Sequence, residues 1–213
     1  MRGFLVNTSM ATFVQNPKLV FIHIPKNAGT SVNFWLKRYL DGEKKGITHG
    51  GTQHLPDDWQ DATSFCIVRN PWDRTLSFWS FLKGKIARKL ARAKDGSTEQ
   101  EGLQLELALI KSGFENWVYE GGLDYPLTNN KKSWFKYGQN QVEWIPIDPT
   151  YILKYEKLNK DFKKIQEFTG VYERLEKSNQ SNHQVYKQYY TPELKNYIGD
   201  MFNKDVKRFN YDF

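Results

Sequence analysis

Along this chain, short β-branched apolar runs alternate with stretches whose apolar residues recur every three or four positions. The clearest run is Lys18 to Ile24 (KLVFIHI), closed by Pro25, which predicts a buried strand. A tight loop, Pro25 to Thr30, follows, with Gly29 free to take a positive φ. Val32, Trp35, Leu36 and Tyr39 then repeat at helical spacing, with Thr30 or Ser31 as the cap, and Asp41 and Gly42 end the helix. The pattern recurs once. Ser64 to Arg69 (SFCIVR) predicts a second buried strand that stops at a basic residue. Asn70 caps, Pro71 suits the first helical position and Asp73 favours the positive end of the dipole, so a helix runs on through Leu76, Trp79 and Leu82.

The remaining segments are less regular. A polar stretch with Gly46, Gly50, Gly51 and Pro56 separates the two patterns. Lys83 to Gln104, rich in Lys, Arg, Asp and Gly, reads as a mobile or weakly helical excursion; Leu105 to Tyr119 reads as helix and Gly121 to Tyr137 as loop. Tyr151 to Tyr155 predicts a third strand. Glu156 to Phe168 predicts an amphipathic helix with Leu158, Phe162, Ile165 and Phe168 inward. Ser178 to His183 is a polar loop, and Thr191 caps a last helix through Phe202. No repeat and no linker interrupts the chain. The expectation is an α/β fold: one domain over 1–213, a central parallel sheet flanked by helices, with an excursion at about 83–135.

Composition adds limits. The 213 residues fit one domain. A hydrophobic share of 39% with 26% charged residues excludes a disordered chain. Cys66 is the one cysteine and lies in an apolar run, which excludes an internal disulfide framework and predicts a buried, inert thiol. No stretch approaches the ~18 apolar residues of a membrane span, and the N-terminus lacks a signal-peptide pattern. The expected compartment is the cytoplasm, or the Golgi lumen only if an anchor was removed. The net charge of +7 favours anionic ligands, although solvated lysines account for the same balance.

Two constellations carry chemistry. In His23-Ile24-Pro25-Lys26-Asn27-Ala28-Gly29-Thr30-Ser31, a strand ends and backbone N–H groups open a helix, a geometry that binds phosphate. Lys26 adds a charge; Thr30 and Ser31 add hydroxyls. The lysine precedes the glycine, so this is not a Walker A loop. In Arg69-Asn70-Pro71-Trp72-Asp73-Arg74-Thr75-Leu76-Ser77, a guanidinium ends the second strand and Ser77 lies about two turns into the helix, a set suited to a second phosphate. Arg74 serves the same purpose or pairs with a carboxylate. Each motif alone is also an ordinary strand–turn–helix corner. Together they imply a ligand with two separated phosphate groups.

HIPKNAGTS followed by IVRNPWDRTLSFW resembles the sulfotransferases that use 3′-phosphoadenosine 5′-phosphosulfate (PAPS), in particular their carbohydrate-directed branch. YILKYEKLNKDFKKIQEFTG and YYTPELKNYIGDMFNKDVKRFNYDF resemble the family's later segments, with Lys154 where the family often has arginine. The resemblance implies a P-loop-NTPase-like sulfotransferase fold. It assigns Lys26, Asn27, Ala28, Gly29, Thr30 and Ser31 to the 5′-phosphosulfate and Arg69 and Ser77 to the 3′-phosphate. It also suggests that Ser178 to His183 closes over the cofactor. Lys26 would stabilise the leaving phosphate, no metal would be required, and a histidine would serve as base towards the acceptor hydroxyl. His49, between the motifs, fits that placement best, and His54 is the rival. His23 reads as a packed core histidine, and His183 as a contact or a surface residue. The acceptor would be a hydroxyl-bearing small molecule or glycan, with no nucleic acid expected. Lys83 to Lys94 could bind an acidic glycan or be a solvated helix face. Trp117, Trp134, Tyr137 and Trp144 could stack on a sugar or pack in the core. Two other readings stay open: a nucleotide kinase-like phosphotransferase and a non-catalytic polyanion-binding domain.

Overall fold

A five-stranded sheet in the order β3-β1-β2-β4-β5 is built from β1 (Asn7–Val14), β2 (Leu19–His23), β3 (Glu43–His49), β4 (Thr63–Val68) and β5 (Tyr151–Lys154). The computed structural model describes residues 7–49, 55–124, 138–145, 148–176 and 185–213. They fall into two compact units, one within Met1–Asn70 and Asn140–Gln180, the other within Pro71–Gln139 and Ser181–Phe213.

The first unit holds the sheet. β2, β4 and β5 are parallel neighbours, as the α/β pattern predicts. The sheet as a whole is mixed, which corrects the parallel expectation: β1 pairs antiparallel with both β2 and β3. Leu19 to Ile22 and Phe65 to Val68 are all buried, so β2 and β4 are covered on both faces, which is why they read as continuous apolar runs. One face packs Leu19, Phe21, Phe65, Ile67 and Leu153 against Val32, Trp35 and Leu36 of α1 (Gly29–Leu40). Phe162 and Ile165 join the same core; the predicted helix after β5 is divided into α5 (Leu158–Asp161) and α6 (Lys163–Thr169) after a 3-10 turn at Tyr155–Lys157. α1 ends as expected, at Asp41 in the left-handed region. Cys66 is buried in β4.

The second unit is helical: α2 (Pro71–Leu90), α3 (Thr98–Lys111), α4 (Phe114–Tyr119), α7 (Pro192–Met201) and α8 (Asn203–Phe209). Its core gathers Trp72, Leu76, Phe78, Leu82, Ile86, Ile110, Phe114, Trp117, Leu194, Ile198 and Phe202. Over its described residues, 83–124, the excursion is therefore largely regular structure. Leu82 and Ile86 bury one side of α2 while Lys83, Arg88 and Lys89 stay exposed, so a single narrow apolar stripe carries the helix past position 83. Ser97 caps α3 by accepting from the Gln100 amide, and Thr191 caps α7 by accepting from the Leu194 amide. Among the described residues, no helix is long and apolar enough to cross a membrane.

Candidate functional site

The first constellation lies where β2 ends. Its loop differs in detail from the sequence expectation. Lys26 (φ 72°) and Ala28 (φ 61°) take the left-handed conformation, while Gly29 does not. Non-glycine residues held there are strained and need support from their surroundings. The glycine is required for another reason: a Cβ at position 29 would lie 1.9 Å from Nε2 of His23. α1 begins with Ala28 as its N-cap and without a side-chain cap, so Thr30 and Ser31 sit within the first turn rather than capping it. That turn contains no acidic residue. Backbone N–H groups at an uncapped helix start, with Lys26 beside them, form a donor set suited to an anion.

His23 supports this loop from below. Its ring stacks on Phe21, with centroids 5.8 Å apart. Burial first, and the Lys44 charge second, push its imidazole down to about 4, so it is neutral near pH 7.

Asn27 is buried, and its amide nitrogen donates to the Ile67 carbonyl at 2.7 Å and to Oε1 of Gln141 at 2.6 Å. The side chain thus faces the interior.

The second constellation starts at the end of β4. Arg69 is 3% exposed. Its Nη1 donates to the Lys26 carbonyl at 3.0 Å, and its guanidinium lies over the Tyr155 ring, 4.0 Å from the centroid. The Asn70 amide donates to Oε1 of Glu156 at 2.6 Å. Gln141, fully buried, accepts from the Arg69 amide at 2.9 Å and donates to its carbonyl at 2.8 Å. The structure therefore brings Lys26, Asn27 and Arg69 together.

A model of the sulfotransferase family matches residues 10–212. The chain belongs to the sulfotransferase family. It is accordingly a transferase of sulfuryl groups, and such sulfotransferases generally use PAPS. Neither the curated proteins nor the solved structures gave a match. Among the described residues, no three His, Cys, Asp or Glu side chains gather as a metal site.

His49 is in β3, paired in backbone register with Asn7, on the strand two places from β2. His54, His183, the Ser178 to His183 loop, Trp134 and Tyr137 fall outside the described residues. Ser77 is buried in α2, within the second unit. Arg74 is in the same unit, where its Nη1 donates to the Gln139 carbonyl. Trp117 and Trp144 are buried. The two sequence motifs do not point to Gln141, Tyr155 or Glu156. Tyr155 and Glu156 lie in the YILKYEKL segment already tied to the family, so that match was their available signal; Gln141 had none.

Proposed function

We propose that this sulfotransferase takes its sulfuryl group from PAPS and passes it to a hydroxyl of a carbohydrate. One observation carries the reading: the Arg69 guanidinium bonds the Lys26 carbonyl, so two basic strand ends meet at one edge of the sheet. A ligand with two phosphate groups needs such a pair, and ligands of open α/β sheets bind at this edge. The carbohydrate acceptor follows from the resemblance of the two motifs to the carbohydrate-directed branch.

Bound PAPS supplies an activated sulfuryl group on a phosphate leaving group. The backbone from Lys26 to Ser31, with the Thr30 and Ser31 hydroxyls, holds the 5′ end. Lys26 stabilises the negative charge that grows there during transfer. Arg69 takes the 3′-phosphate, and the motif that assigns it assigns Ser77 as well. His49 accepts the acceptor's proton, with His54 as the alternative.

Calorimetric titration with adenosine 3′,5′-bisphosphate tests the donor. Binding without added metal, abolished by Arg69→Ala, is the expected outcome. Preference for ATP with Mg²⁺ would overturn it. In a transfer assay His49→Ala should remove activity and leave bisphosphate binding intact; if His54→Ala does so instead, the base is His54.

A further inference from the structure

We infer that Gln141 is a positioning residue that fixes the spacing between the two phosphate-binding strand ends, and so sets the preference for a nucleotide phosphorylated at both its 5′ and 3′ positions. The inference rests on the two-phosphate reading above.

β4 and β5 make their last register pair at Val68 and Lys154. One residue further on, the Gln141 side chain does what a neighbouring strand would do, engaging both the amide and the carbonyl of Arg69, at 2.9 and 2.8 Å. The oxygen that accepts from Arg69 also accepts from Asn27 at 2.6 Å, and Asn27 reaches on to Ile67. One buried amide thus holds the loop after β2 and the residue after β4 at a set separation. Glutamine suits this role because its amide combines an oxygen with two lone pairs and a donor nitrogen. The contacts lie 114 and 72 residues from Gln141 along the chain, so they form only in the fold. Arg69 also bonds the Lys26 carbonyl through its guanidinium, so any shift of its peptide moves that group relative to the loop.

Two ligands separate this role from plain stability. Adenosine 5′-phosphate reports the loop alone, and adenosine 3′,5′-bisphosphate reports the loop together with Arg69. Calorimetry on the full chain, with a thermal melt of each variant, gives the ratio of the two affinities. Gln141→Leu removes the bonds to Asn27 and Arg69 and should lower that ratio about tenfold, with 5′-phosphate binding little changed. Gln141→Glu keeps both accepting bonds and loses the donated one; it covers the case in which the leucine variant does not fold, and its ratio should fall about threefold. Equal weakening of both ligands, or a lower melting temperature with the ratio unchanged, overturns the positioning role. A parent protein that binds both ligands equally well would instead refute the two-phosphate reading, and the inference with it.

Discussion

The two basic strand ends look alike in sequence and differ in construction. After β2 the chain presents backbone: Lys26 and Ala28 in left-handed conformations, an uncapped helix start, and Thr30 exposed. After β4 it presents a buried side chain held from several sides, the Arg69 guanidinium on Tyr155 and its peptide on Gln141. The first arrangement depends on close approach and on the absence of a Cβ. The second depends on side chains from distant parts of the sequence. Anion sites can be built either way, but the two fail differently under mutation.

The largest expected effect comes from closing the first end. Gly29 lies at the start of α1 with ordinary helical backbone, so helix propensity alone predicts that alanine stabilises by about 0.5–1 kcal/mol. The added Cβ would meet His23 Nε2 at 1.9 Å and its Cδ2 at 2.0 Å, in a ring already stacked on Phe21. Overpacking of this kind costs roughly 1–3 kcal/mol, so the sign should reverse. Gly29→Ala should lower the urea midpoint and weaken bisphosphate binding. In a His23→Ala background the same substitution should become neutral or stabilising. If Gly29→Ala is as stable as the parent, the close approach is not what requires the glycine.

Much of this design was legible in the sequence, and the parts that were not share a cause. β2, β4 and the starts of α2 and α7 are fixed by neighbours in sequence: unbroken apolar runs, Pro71 at a first helical position, Thr191 as a cap. β3 escaped notice because as an edge strand it is polar, EKKGITH, with Glu43 and Lys44 exposed. β1 lies between antiparallel partners, a pairing that a segment reading NTSMATFV does not announce. The same holds for the site. Lys26, Asn27 and Arg69 stood out in their motifs, whereas Gln141 owes its role to partners far away in sequence. The sequence suggests positive φ at Gly29, whereas only Lys26 and Ala28 adopt it in that loop, because sequence does not show which side chain lies beneath a backbone.

His23 gives the first end a pH dependence. Its pKa falls from 6.5 to about 4 through burial and the Lys44 charge. The unfolded chain then binds more protons than the folded one between those values, so stability is fully present above about pH 6.5 and is lost as pH falls towards 4. Between pH 7 and pH 5 the loss attributable to this ring is about 2 kcal/mol. Urea midpoints at pH 7, 6 and 5 should decline more steeply for the parent than for His23→Gln, which has no proton to gain. Parallel slopes would show that His23 titrates normally in the fold.

The smallest effect is expected at the second end, where the Tyr155 ring lies under Arg69 at 4.0 Å. A guanidinium over an aromatic face contributes about 0.5–2 kcal/mol, more as the pair is desolvated, and Arg69 is buried. Tyr155→Leu keeps apolar bulk and removes the ring, so it should weaken adenosine 3′,5′-bisphosphate about fivefold and leave adenosine 5′-phosphate unchanged. Tyr155→Phe keeps the ring face and should behave as the parent. Loss of both ligands in Tyr155→Leu would mean that the second end also supports the loop after β2. Through the Arg69–Lys26 bond, the two ends would then act as one unit rather than as two separately breakable halves.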